Sequence, residues 1–279
     1  SSDNYGIYLT YSVMNNITNN NVTTNSSTSG NIGIRLQYGA NNSFINQNNI
    51  TTYGTDSNSG IHISFSSNNN TINNNIINAG GKTSDNYGIY LYTYVGDNNV
   101  TNNIITTNGT QYNQGIRLET GVNNTLVSNN IISTDGSSSD NYGIYLLTTA
   151  VGNNITNNNI TTNGTGSNYG IYLNNGPVNK NTISHNIIST SGRTSGTNAG
   201  ICLSSSFGNN VTNNNISTNG TSTNYGIYLT TNADNNSVSN NIISTVGSTG
   251  SNQGMYLYLS VGNNITNNNI RTNGSSSNH

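Results

Sequence analysis

The chain has 279 residues, of which 5% are charged, with a formal net charge of −2, one Pro, no Trp and a single Cys. Its 6 Lys and Arg are scattered, so no basic stripe exists to neutralise a phosphate backbone and nucleic acid is excluded as a partner. No apolar run approaches the roughly 20 residues that span a bilayer, and a lone Cys202 rules out an internal disulfide.

Only 30% of the residues are hydrophobic. Such polarity usually means disorder, but disordered chains of this kind are highly charged or poor in β-branched residues. Here Ile and Val return at fixed intervals, which predicts a repeat fold.

The first element is read at Gly6-Ile7-Tyr8-Leu9, where apolar residues alternate with period two, the mark of a strand. The same type of tetrad starts at Gly33, Gly60, Gly88, Gly115, Gly143, Gly170, Gly200, Gly226 and Gly254, spaced 26 to 30 residues apart. After each tetrad comes a block of the form Ile-x-x-Asn-x-Ile, first seen at Ile17, Asn20 and Val22. Its central residue is Asn in every copy: Asn20, Asn48, Asn75, Asn103, Asn130, Asn158, Asn186, Asn214, Asn241 and Asn268. Short strands separated by Asn and Gly bends at a constant period predict coils that stack by backbone hydrogen bonds, with like residues above one another. The Asn column is expected to form an amide ladder from turn to turn and to take the left-handed backbone of a bend. The Gly column is expected at the corner entering the first strand, for a positive φ or a close backbone approach.

The pattern of Gly143 to Leu146 followed by Asn153 to Ile160 resembles the parallel β-helix repeats of the right-handed β-helix superfamily, most of all those of NosD-like proteins and archaeal surface proteins. The resemblance covers essentially the whole chain. It implies an all-β, single-stranded parallel β-helix of about ten turns of 27–28 residues, right-handed, in one domain over residues 1–279. It does not imply one activity, because the superfamily holds lyases, hydrolases, adhesins and surface-layer proteins.

Residues able to carry chemistry are few. Asp3, Asp85 and Asp140 share a column three before the Gly on separate turns, a common turn position. Arg35, His62, Arg117 and Cys202 interrupt an outward column of tyrosines, with Glu119 near Arg117. An acid and base couple needs partners that these lack. His62, His185 and His279 fall in different columns and make no metal set. No cofactor, metal site or catalysis is therefore expected. The outward tyrosines, doubled by Tyr5, Tyr87, Tyr142, Tyr169 and Tyr225, form rows that pack on themselves, on sugar rings or on a partner.

Eighteen Asn-x-Ser/Thr triplets occur, and those at Asn108, Asn163, Asn219 and Asn273 recur on every second turn in what read as exposed Asn-Gly bends. Gly96, Gly152, Gly208 and Gly262 open near-copies spaced 56, 56 and 54 residues apart, a two-turn unit. The segment from Asn273 to His279 leads in phase toward Ser1 to Gly6, so neither end reads as capped, and further turns or head-to-tail subunits are expected. Together these features predict an extracellular structural protein, a filament, sheath or surface layer, associating with itself head to tail or laterally and bearing glycans. A carbohydrate-binding or polysaccharide-degrading β-helix is the alternative. An ice-binding solenoid is the third reading, suggested by the Thr column from Thr24 and Thr52 to Thr272.

Overall fold

The computed structural model describes residues 3–27, 30–83, 85–138, 140–193, 196–275 and 278. Among the described residues thirty strands form three parallel sheets of ten strands each, and in every sheet each inner strand pairs with its equivalents one turn earlier and one turn later. Each turn therefore contributes three strands, as in the sixth: Asn141–Leu147, Asn154–Thr156 and Asn159–Gly164. The paired residues are those that the columns align, for example Ile144 with Ile171 and Ile160 with Ile188.

The core is a set of stacked aliphatic columns. Ile144, Leu146, Ile155 and Ile160 are fully buried, with Ala150 beside them at the corner between the first two strands. The Thr column, Thr162 and its equivalents, also faces inward. Its eight hydroxyls from Thr24 to Thr245 have no hydrogen-bond partner among the described residues. The rank that suggested an ice-binding face is thus inside the rod.

One backbone expectation needs correction, and of the two roles offered for the Gly column the close backbone approach is the one that holds. The left-handed corner between the second and third strands is taken by the residue before the ladder Asn, as at Asn157 (φ 56°), Asn129 (φ 56°) and His185 (φ 56°). The ladder Asn must instead turn its amide inward. The Gly column lies inside the first strand, and none of its members has a positive φ. What it supplies is space: a Cβ on Gly143 would collide with Ile160 Cγ2 and lie 2.6 Å from the carbonyl oxygen of Gly170. The strand also bends there: Tyr142 and Tyr145, three residues apart, bring their rings to 4.8 Å at a tilt of 53° on one face. Strict alternation would place them on opposite faces.

Candidate functional site

Three features of the rod are organised beyond what a core requires: its amide ladders, the aromatic wall of the first sheet, and the outer columns of the second and third sheets. The ladder of the Asn20 column is continuous. Each Nδ2 donates to Oδ1 of the next turn, from Asn20 to Asn48 (3.0 Å) through Asn130 to Asn158 (2.9 Å) to Asn241 and Asn268 (2.9 Å). The same Oδ1 also accepts the backbone N–H of its neighbour, as Asn158 does from Asn130 at 3.0 Å.

A second ladder, which the sequence reading missed, runs along the Asn that opens each first strand. Asn31 donates to Asn58 at 2.9 Å, Asn113 to Asn141 at 3.0 Å, and Asn224 to Asn252 at 3.0 Å. A third links Asn153, Asn181, Asn209, Asn236 and Asn263 at 3.0–3.1 Å. In all three the donor points toward the later turn. In the first and third ladders each buried amide also donates its second hydrogen to a backbone carbonyl, as Asn158 does to Val127 and Asn153 to Val122, as burial of polar groups in a low-dielectric interior demands.

On the outer face of the first sheet the tyrosines stack on one another, with Tyr142 and Tyr169 at 5.5 Å and Tyr145 and Tyr172 at 5.1 Å. The row is broken on the eighth turn by Ala199 and Cys202, which pair with Tyr169 and Tyr172. Cys202 is buried, and that burial pushes its thiol well above the usual range, so it stays protonated.

Arg117 fills its place in the row with its guanidinium 5.4–5.5 Å from the ring centres of Tyr87, Tyr90 and Tyr145. Its Nε donates to Glu119 Oε2 at 2.8 Å, and the Tyr90 hydroxyl donates to the same oxygen at 2.5 Å. Burial, reinforced by that bond, raises the Tyr90 phenol. Beside it lies an open depression of about 260 Å³ lined by Asp85, Tyr112, Gln114, Arg117, Tyr142 and Tyr145.

Arg35 has a carboxylate after all, Asp3 at 3.9 Å, and also donates to Gln37 at 3.1 Å. His62 lies 4.7 Å from the Tyr90 ring. Burial, and secondarily the charge of Arg35, pushes its imidazole down to about 3. His185 sits at a corner far from this face, and His279 lies outside the described residues. No group of three or more His, Cys, Asp or Glu stands together among the described residues. Among the described residues no helix is long and apolar enough to cross a membrane.

An aromatic strip that no column had suggested lines the corner after the first strand in the early turns. Tyr11, Tyr38 and Phe65 stack at 5.5 and 4.9 Å, and Tyr92 meets Phe65 edge-on at 6.2 Å. Tyr11, Tyr38 and Phe65 have φ of 51–53°, and later turns fill the same left-handed position with Thr120, Thr148, Asn175, Ser205 and Thr231. Bulky residues there carry a strain of about 1 kcal/mol each. Tyr11 is 79% exposed.

Asn108, Asn163, Asn219 and Asn273 occupy one outward column of the third sheet on alternate turns, separated by Asp135, Ser191 and Val246. They are strand residues, not bend residues. The residue after each is Gly because the second Asn ladder takes the space of a side chain there, as where Asn168 Oδ1 would lie 2.8 Å from a Cβ on Gly164.

A family model described as the right-handed β-helix region matches residues 1–160 and 134–278. No curated protein matches the chain by sequence. Among solved structures, the A-module of the mannuronan C-5 epimerase AlgE6 of Azotobacter vinelandii resembles it with a TM-score of 0.48 and 13% identity, over 98% of this chain and 83% of that one. A likeness at that level says nothing of activity. With both halves of the chain matched and every turn built alike, the protein belongs to the right-handed β-helix family.

Proposed function

We propose that this protein is a structural rod of an extracellular surface, forming a filament, sheath or surface layer by association with its own kind and carrying N-linked glycans at Asn108, Asn163, Asn219 and Asn273. The observation that carries the reading is the set of amide ladders, which run without a gap from Asn20 to Asn268 and from Asn4 to Asn252. Each turn is thereby a template for the next, an economical way to build length. The reading assigns the rod no catalysis. It is tested by electron microscopy of the full chain across a concentration series. Filaments or sheets whose width matches one rod, or rods packed side by side, support it. Isolated rods of one length at every concentration would end it.

A second reading, carbohydrate binding, is favoured by the Tyr11–Tyr38–Phe65 strip. It offers one ring per turn, exposed at Tyr11 and Tyr38 and half-buried at Phe65, strained into place, and pyranose rings stack on such faces. Under this reading Tyr38→Ala abolishes retention of the rod on an insoluble neutral polysaccharide while its circular dichroism is unchanged. Equal retention of both proteins would remove the strip from consideration.

A further inference from the structure

The outer columns of the second and third sheets alternate in a way that the core does not require. At the first position of the third strand the sequence of side chains from the fifth turn on is Ile131, Asn159, Ile187, Asn215, Ile242 and Asn269, each paired with the next. At the first position of the second strand it is Leu126, Asn154, Thr182, Asn210, Ser237 and Asn264. The column of Asn163 and Asn219 keeps the same rhythm.

Read against the Ser/Thr two residues on, every even turn from the fourth carries acceptor triplets in these columns. The odd turns in that range carry none there. On the sixth turn three acceptors stand together, Asn154, Asn159 and Asn163. Because residues two apart in a strand share a face, the acceptor's hydroxyl lies beside its amide, as where Thr18 Oγ1 donates to Asn16 Oδ1.

Spacing gives the alternation its meaning. Adjacent turns are about 4.8 Å apart, too close for two oligosaccharides side by side, whereas alternate turns leave about 10 Å. Between the acceptors the odd turns present apolar side chains, Ile187 and Ile242, which are 56% and 55% exposed. A sugar chain leaning along the wall from Asn159 or Asn215 would cover them.

We propose that from the fourth turn on the outer wall of the second and third sheets is a glycan comb, with N-linked oligosaccharides borne by the even turns and an isoleucine floor on the odd turns. The inference rests on the reading of the protein as an extracellular glycoprotein and extends it to Asn154, Asn159, Asn210 and Asn215. In each transfer Asn Nδ2 bonds to the anomeric carbon of an oligosaccharide carried on a polyprenyl phosphate. The anomeric C–O bond breaks, the lipid phosphate leaves, and the amide proton passes to a base of the transferring enzyme.

The test uses the full chain secreted from an N-glycosylating host, with sugars removed enzymatically in heavy-oxygen water so that each occupied Asn becomes a labelled Asp. Labels at Asn154, Asn159, Asn210 and Asn215, together with Asn163 and Asn219, are expected. Labels confined to the corner acceptors Asn41, Asn69, Asn123 and Asn235 would overturn the comb and leave the glycoprotein reading intact, whereas no label anywhere would overturn both. The Ile187→Asn variant then completes a triplet with Ile188 and Ser189 between two occupied turns. Molecules modified at 159, 187 and 215 together should be several-fold rarer than independent occupancy gives. Finding them at the independent frequency would show that neighbouring turns do not exclude each other, and the comb would fall.

Discussion

Asn158 and Thr162 are buried polar residues four positions apart, and the structure gives them opposite energetic signs. Asn158 Oδ1 accepts from the N–H and Nδ2 of Asn130, while its own Nδ2 donates to Val127 O at 2.9 Å and to Asn186 Oδ1 at 3.0 Å. Asn158→Ala strands two buried donors of Asn130, and at about 1–3 kcal/mol for each unsatisfied group the expected loss is about 3 kcal/mol, read as a lower urea midpoint. Thr162 Oγ1 is buried without a partner. Thr162→Val removes that orphan and keeps the shape, so a gain of about 1 kcal/mol is expected in the same measurement. A clear loss would show that the hydroxyl is bonded.

His62 makes stability depend on pH. Its folded-state value of about 3 lies below the ordinary 6.5, so between those limits the unfolded chain binds a proton that the folded chain refuses. Stability contributed by the neutral ring is complete above about pH 6.5 and falls as the pH drops through that window. His62→Tyr, which installs the commonest residue of its column, should shrink the difference in urea midpoint between pH 7 and pH 4. An unchanged difference would mean that the imidazole protonates freely in the folded protein.

At the scale of the strand, packing between unlike elements decides the sequence. Gly143 is tolerated mid-strand, where Gly is ordinarily unfavourable, because Ile160 of the third strand fills the space its side chain would take and the Gly170 carbonyl closes the other side. Gly143→Ala must push two layers apart, and overpacking of this kind costs about 3 kcal/mol. Thermal unfolding of that variant should begin well below that of the parent, and an equal transition would mean that the layers yield freely. This element also shows what the sequence could reveal. The period, the stacked aliphatics and the Asn20 ladder were legible because Ile or Val returns in each flanking column and Asn stands in every copy between them. The ladder of Asn31, Asn58 and Asn86 is as regular, yet it was hidden by composition, since Asn is so common here that one more Asn column does not stand out. The close backbone approach at the Gly column was legible, but not the side chain it makes room for, which is some seventeen residues away around the turn. Nor could the strip of Tyr11, Tyr38 and Phe65, whose members share a backbone conformation rather than a motif.

Over the whole molecule, ten turns at about 4.8 Å give a rod roughly 48 Å long whose turns touch only their neighbours. In a rod of these ten turns alone, inner turns are held from both sides and outer ones from one, so amide hydrogen exchange should be slowest in the fourth to seventh turns and quicken toward the first and tenth. Uniform protection would mean that the rod opens as one unit. The faces differ as well: the first sheet is walled with stacked rings, the third, from the fifth turn on, with isoleucine and asparagine in alternation. A molecule of this build can present separate chemistries to separate neighbours without altering its interior.

The amide ladders all hand their hydrogens the same way, from earlier turn to later. That gives the solenoid a sense, as an arrow has, even though its turns look interchangeable. Two such bodies abutting by identical faces would set acceptor against acceptor or donor against donor, whereas a front meeting a back prolongs every amide file without a fault. Whatever meets the rod along its axis is therefore sorted by orientation before any side chain on the outside is consulted.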